Sequence, residues 1–212
     1  MGCCQCQGIE IEFNRREAQH KLAEYRRRGP AGTTRLLLAA LQAAGVADRT
    51  LLDIGGGIGA IQYALLKAGA RSAVSVDAST AYIEAAQLEA RRQGLADRIE
   101  FHSGDFVDLA GSLPPADIVT LDRVICCYHD MPALVGLSAA RARELYALVF
   151  PRDGAWMRLA LRLLNLFERL KGSPFRSFIH PTAAVEAVLL EHGLRRQFYR
   201  RAGVWQVALY AR

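Results

Sequence analysis

The sequence predicts one doubly wound α/β domain with a seven-stranded, mostly parallel sheet. Three observations carry that expectation. From Thr50 onward, short apolar runs alternate with helical segments, the pattern of βαβ units. The first of these runs feeds directly into a glycine-rich turn, Asp53-Ile54-Gly55-Gly56-Gly57-Ile58-Gly59, and a helix starts at once. The chain closes on two strand-like runs joined by Ala202-Gly203, the spacing of a hairpin, so an antiparallel edge should end the sheet. A chain of 212 residues, 51% of them hydrophobic, fits one domain with a sizeable core.

Each element has its own signal. Residues 1–10 read as a tail. Phe13 to Arg28 reads as a weakly amphipathic helix with a sparse stripe of Phe13, Leu22 and Tyr25. Gly29-Pro30 breaks it. Thr33 or Thr34 offers an N-cap to a helix from Arg35 to Ala44, stopped at Gly45. Parallel strands are expected at Thr50 to Ile54, Ala73 to Val76, Arg98 to His102, Asp117 to Leu121 and Leu145 to Phe150. The connecting helices run from Ile58 to Lys67, from a Ser79 cap to Gln93, and from Pro132 to Arg143. Two further helices, Ala155 to Leu170 and Pro181 to His192, precede the hairpin strands Arg195 to Arg200 and Val204 to Tyr210. Residues 1–30 are thus expected to be a cysteine-containing tail and helical lid, and residues 31–212 the main domain.

The glycine turn carries the chemistry. Glycine permits backbone shapes closed to other residues and lets an adenosyl ligand lie against bare backbone. Gly55, Gly57 and Ala60 also match a dinucleotide pattern. Asp53, immediately before the glycines, separates the two ligands: it would repel a pyrophosphate and attract the ammonium of a methionine moiety. Asp77 ends the second strand, where a carboxylate binds both ribose hydroxyls, with Ala78 beside it. Asp105 and Phe106 follow the third strand, placed to accept the adenine amino group and to pack on its ring. A non-catalytic protein that keeps the fold and binds cofactor or metal remains a further reading.

These residues resemble the class I S-adenosylmethionine-dependent methyltransferases. Asp53-x-Gly55-x-Gly57-x-Gly59 matches that family's D-x-G-x-G-x-G run, and Asp77, Asp105 and Leu121-Asp122-Arg123-Val124 stand where its later motifs belong. The resemblance covers about residues 33–212. It implies a Rossmann-like sheet of order 3-2-1-4-5-7-6, S-adenosylmethionine as cofactor, and Asp53, Gly55, Gly56, Gly57, Gly59, Asp77, Ala78, Asp105, Phe106, Asp122 and Arg123 around it. A narrower likeness is to the magnesium-protoporphyrin O-methyltransferases. It rests on Phe13-Asn14, Tyr25, Leu121 to Tyr128, Phe150-Pro151 and Phe175 to Pro181. It implies an N-terminal arm over the active site and a porphyrin propionate as acceptor. Cys127 stands where that family has histidine.

Ligands of such folds sit outside the carboxyl ends of the strands, so the residues after the fourth strand face the transferred methyl. Tyr128 and His129 are expected to contact the acceptor, with His129 as candidate base because its ordinary pKa lies near neutrality; His129 could equally cap the next helix. Tyr25, Arg28 and Cys127 are expected at the lid or acceptor, and Arg176 and His180 as ligands of an acceptor carboxylate. The expected partner is a small-molecule methyl acceptor bearing a carboxylate or hydroxyl.

The net charge of +6 raises nucleic acid, an anionic membrane or an acidic small molecule as partners. No DNA partner is expected. An RNA methyltransferase is the alternative reading, disfavoured because the basic residues are not interleaved with several stacking aromatics. The helix Ala155 to Leu170 pairs a broad apolar face with Arg158, Arg162 and Arg169; packing into the core, sheltering an apolar substrate and lying on a membrane surface are all compatible with it. No apolar run is long enough to span a bilayer and no apolar leader opens the chain, so cytoplasmic residence is expected. Cys3, Cys4, Cys6 and Cys126 are weak candidates for a metal site, for lack of a standard spacing.

Overall fold

The computed structural model describes the backbone of residues 4–212 and the side chains of residues 8–212. Seven strands form one sheet in the order β3-β2-β1-β4-β5-β7-β6. They are β1 (Thr50–Ile54), β2 (Ser72–Asp77), β3 (Ile99–Ser103), β4 (Ala116–Asp122), β5 (Ala142–Pro151), β6 (Arg195–Ala202) and β7 (Trp205–Ala211). The first five run parallel, β7 pairs antiparallel with β5, and β6 forms the expected hairpin edge on β7.

The strands are apolar on both faces because both faces are covered. Leu52, Ile54, Val119, Leu121, Tyr146, Leu148 and Tyr210 point into one core, shared with α7 (Met131–Arg141) and α9 (Thr182–Glu191). Their neighbours Leu51, Ile118, Ala147, Val149 and Leu209 point into the other, shared with α3 (Gly32–Ala43) and α4 (Ala60–Lys67). The period of two along each strand is the physical origin of this division. Three further helices are α5 (Thr80–Arg92), the short α6 (Phe106–Leu109) and α8 (Ala155–Leu170). Ser79 caps α5 as expected: its hydroxyl accepts from the Tyr82 N–H.

Two expectations are corrected. From Cys4 onward the segment read as a tail is helical, α1 (Cys4–Glu12), followed by α2 (Arg15–Arg28). Asn14 separates the two by capping α2, its side chain accepting from the N–H groups of Arg16 and Glu17. What holds α1 is not its own propensity but the amino end of α5: the Glu10 carboxylate accepts from the Thr80 N–H and hydroxyl, and the Ser79 hydroxyl donates to the Phe13 carbonyl at 2.6 Å. A carboxylate at a helix N-terminus is favoured by the orphan N–H groups there. Likewise, neither Thr33 nor Thr34 caps α3, whose N-cap is Ala31 with no side-chain bond. The Thr34 hydroxyl donates to Asp122 at 2.5 Å instead. A charge-assisted bond to a carboxylate is stronger than one to a neutral backbone group.

Helix α2 is fastened to α5 through Glu89. That side chain is fully buried yet receives Arg26 at 2.8 Å and Arg92 at 2.5 Å. The hydrogen bond from Arg92, with those from Gln93 and Arg26, outweighs burial and holds its carboxyl down at about 2. Glu89→Gln should therefore lower unfolding stability in urea by roughly 1–3 kcal/mol at pH 7. Because the folded pKa is depressed, this contribution is present above the unfolded carboxyl pKa near 4.5 and is lost as pH falls towards 2. The gap between wild type and variant should close over that interval; a gap of constant size would contradict the assignment.

Candidate active site

A cavity of about 800 Å³ opens at the carboxyl ends of β1, β2 and β4. This is the switch point between β1 and β4, where the strand order reverses: the chain builds outward from β1 to β2 and β3, then returns to β4 on the other side of β1. Its floor is the glycine turn. Gly55 has φ +62°, and a Cβ there would stand 2.5 Å from a Val124 methyl. Gly59 has φ +87°, and a Cβ would stand 2.4 Å from the Tyr63 hydroxyl. Both positions demand glycine on conformation and on space. Gly59 supports the turn from behind, while Gly55, Gly56 and Gly57 line the cavity.

Asp53 lies beneath the turn, 1% exposed. Its Oδ1 accepts from the Thr120 hydroxyl at 2.6 Å and its Oδ2 from the Gln62 amide at 3.1 Å. Burial dominates over these bonds and pushes its carboxyl up to about 7. Asp77 ends β2; its Oδ2 accepts from the Gly57 N–H at 2.9 Å and its Oδ1 from the Ser79 N–H at 2.8 Å. Burial raises it to about 6 against those two bonds. Each Asp77 oxygen keeps a second lone pair, and among the described residues the carboxylate has no cationic partner. A ribose diol, supplying two donors, answers both conditions. With the bare glycine floor, that fits S-adenosylmethionine. Ala78 lines the wall beside Asp77.

Asp105 lines the far wall, where its Oδ1 accepts from the Val107 N–H and its Oδ2 from the Tyr128 hydroxyl at 2.9 Å. Phe106 packs beside it, 3% exposed. At the end of β4, Arg123 adopts φ +62°, a left-handed shape costly for a non-glycine residue. Its guanidinium Nε donates to Asp122 at 3.1 Å, one Nη donates to Thr34 at 3.3 Å, and its Cζ lies 5.9 Å from the centre of the Trp205 ring. This cation is held in one orientation facing the cavity.

The roof comes from the arm. Ile9, Phe13, Lys21, Glu24, Tyr25 and Arg28 all line the cavity. Phe13 makes edge contacts with Tyr82 at 5.8 Å and Phe175 at 5.7 Å, closing the roof across three elements. The expected lid residues Tyr25 and Arg28 therefore reach the cavity, as do Cys126, Cys127 and Tyr128. His129 does not line it: its ring stacks on Tyr128 at 5.4 Å, while Asp130 caps α7. Arg176 donates to the carbonyls of Ser173 and Phe175, and His180 Nε2 sits 2.9 Å from the carbonyls of Ile125 and Tyr128. Both shape the wall from behind rather than face the cavity. Cys126 and Cys127 have sulfurs 3.8 Å apart; the bond with Cys126 and burial push the Cys127 thiol well up, so it stays protonated. Cys3 and the side chains of Cys4 and Cys6 lie outside the described residues, among which no group of three or more candidate ligands could hold a metal.

Sequence reasoning did not place Thr34, Tyr82 or Trp205 at the site, and Phe13 and Phe175 entered it only through the narrower resemblance, which implied an arm over the active site. Thr34, Tyr82 and Trp205 reach the site through tertiary packing.

Comparisons with known proteins agree with this geometry. The family model for the O-methyltransferase domain matches residues 31–138. The ribosomal protein L11 methyltransferase of Escherichia coli O8 (strain IAI1) is 36% identical over 140 residues, covering 59% of this chain and 47% of that protein. The chain thus spans about half the length of the curated relatives it matches. Magnesium protoporphyrin IX methyltransferase from Synechocystis PCC 6803, solved with bound SAH, superposes with a TM-score of 0.71 at 20% identity over 85% of this chain and 82% of that one. An O-methyltransferase family protein from Burkholderia thailandensis gives a TM-score of 0.71 at 18% identity, over 96% and 62% of the two chains. At these identities the solved structures speak for the fold. The chain belongs to the O-methyltransferase domain family, and its fold is that of a methyltransferase solved with SAH bound.

Proposed function

We propose that this protein methylates a carboxylate oxygen of a small-molecule acceptor. The observation that carries the reading is the division of charge in the cavity. The carboxylates Asp53, Asp77, Asp105 and Asp122 lie at the strand ends, whereas the arm, the start of α3 and the turn after β4 present Lys21, Arg28, Arg35 and Arg123, against one acid there, Glu24, which pairs with Lys21 at 3.8 Å. The acidic floor suits a cationic cofactor, and the cationic rim suits an anionic acceptor.

When bound, S-adenosylmethionine supplies an electrophilic methyl group on a sulfonium. Everything else falls to the residues of the chain. Asp77 holds the ribose, and Asp53 places negative charge under the methionine end. Arg123, already fixed by Asp122, Thr34 and Trp205, orients the acceptor carboxylate. Orientation of this kind contributes about 7–11 kcal/mol of the barrier lowering when reacting atoms are held in line. An ionised carboxylate carries its own lone pair, so no proton has to be removed. That agrees with a thiol raised at Cys127 and with His129 lying off the cavity lining. The arm and Phe175 keep water out. Porphyrin propionates, suggested by the narrower resemblance, belong to this acceptor class.

A protein acceptor is the second reading. Curated relatives are named for methylating ribosomal protein L11. The experiment is an assay with labelled methyl donor on porphyrin propionates and other carboxylates, on phenols, and on ribosomal protein L11. Label should enter the carboxylates and be released by mild alkali, as methyl esters are. Alkali-stable label in the ribosomal protein would favour the second reading.

Cofactor binding gives two more expectations. Asp77→Asn should weaken S-adenosylmethionine binding by about tenfold to a hundredfold in isothermal titration, the cost of roughly two weakened hydrogen bonds to a charged group. NAD should not bind. The ribose hydroxyls donate to an ionised Asp77, so wild-type affinity should fall as pH drops through about 6, tending to about tenfold per unit. Asp77→Asn should remove the component near pH 6 and leave the one that Asp53, raised to about 7, contributes through its charge. Without ligand the sign reverses. A raised carboxyl binds more protons folded than unfolded, so stability should rise as pH falls from about 7 towards 4.

A further inference from the structure

We propose that α8 is an in-plane docking helix for an anionic membrane surface. A helix of an ordinary domain turns its apolar stripe inward; α8 does the reverse. None of its residues is buried. Trp156, Leu159, Leu163, Leu166, Phe167 and Leu170 recur at spacings of three and four and so share one broad face, and all six are exposed, Leu170 by 78% and Trp156 by 62%. The side turned towards the body carries Met157, Leu161, Asn165 and Glu168, the half-buried positions. Asn165 fastens the helix by exchanging two hydrogen bonds with the Ser177 backbone, at 2.8 and 3.0 Å. An outward apolar face of this size, flanked by polar residues, marks an interaction surface.

Charge identifies the occupant. Arg158, Arg162 and Arg169 lie together along the polar flank of the same helix, and Lys171 follows its last turn. None of the ion pairs among the described residues involves the three arginines. A groove of about 240 Å³ beside them is lined by Arg158, Arg162, Asn165 and Phe178. That groove suits a phosphate head group. A second copy of the chain would cover the apolar face but bring a like-charged flank against this one. An anionic bilayer satisfies both, acyl chains taking the tryptophan, leucines and phenylalanine and phosphates taking the arginines. The helix has 16 residues, and no described helix is long and apolar enough to cross a membrane, so α8 lies along the surface. Ser177, held by Asn165, lines the catalytic cavity, so the docked face adjoins the acceptor side of the site.

Flotation of the full chain with vesicles tests this. The protein should rise with phosphatidylcholine vesicles containing phosphatidylglycerol and stay behind with phosphatidylcholine alone. The double variant Leu163→Glu, Phe167→Glu should stay behind with both. Neutralising Arg158, Arg162 or Arg169 with glutamine should each reduce partitioning by about fivefold. The variants should bind S-adenosylmethionine as the wild type does, which separates loss of docking from loss of fold. Three results would overturn the proposal: no flotation on anionic vesicles, equal flotation of the double variant, or a wild-type dimer in solution that the double variant converts to monomer.

Discussion

The buried carboxylate of Asp53 is the constraint on which the site depends. It sits at the end of β1, accepts from Thr120 on β4 and from Gln62 on α4, and through the Gln62 amide is linked to Ser75 on β2 at 2.7 Å. One side chain thus ties together the strands on both sides of the switch point and the helix that leaves it. The cost is desolvation, visible in a carboxyl raised to about 7. The return is a turn with no freedom. A Cβ on Gly56 would stand 2.4 Å from the Gln62 amide nitrogen and 2.8 Å from the Ser75 hydroxyl. The backbone is pressed against this polar cluster from below, which leaves its upper side bare for a ligand.

The roof follows from the same floor by a different route. The Gly57 N–H donates to Asp77, the Ser79 N–H donates to the other oxygen of Asp77, and the Ser79 hydroxyl donates to the Phe13 carbonyl. A continuous run of hydrogen bonds therefore passes from the glycine turn through the Asp77 carboxylate to the arm above. Anything that binds Asp77 touches a residue that also holds, through Ser79, the arm. Floor and roof are parts of one network rather than a rigid domain with an appendage.

This explains what was legible in the sequence. The sheet order, the hairpin and the floor of the cavity rest on local patterns: alternation of strands and helices, glycines after Asp53, an acid ending β2, Ser79 before α5. Periodicity and capping encode those directly. The helix α1 was not legible, because Glu10 is stabilised by the amino end of α5, seventy residues away. Thr34 misled for the same reason, since its position before an apolar run suits a cap and its actual partner Asp122 is eighty-eight residues away. Arg176 and His180 looked like acceptor ligands by residue type, but main-chain carbonyls claimed them. Trp205 and Tyr82 reach the cavity only through sheet register and helix phase, which a local pattern does not carry.

The net charge of +6 finds its account in the same geometry. A single nucleic-acid face would gather the cations on one surface. Here they divide among separate tasks. Lys21, Arg28, Arg35 and Arg123 face the cavity, and Arg158, Arg162 and Arg169 flank the outward face of α8. A third group lies on β6, the edge strand, where Arg195, Arg196, Arg200 and Arg201 are exposed. Arg196 pairs with Glu186, and Arg196 and Arg201 both lie over the Tyr199 ring, so their heads cover the outer side of the hairpin. An edge strand offers unpaired backbone groups to any passing strand, and a row of cations along it opposes a second copy by like charge. The arginines that first suggested RNA are thus explained at this edge by the need to end a sheet in water.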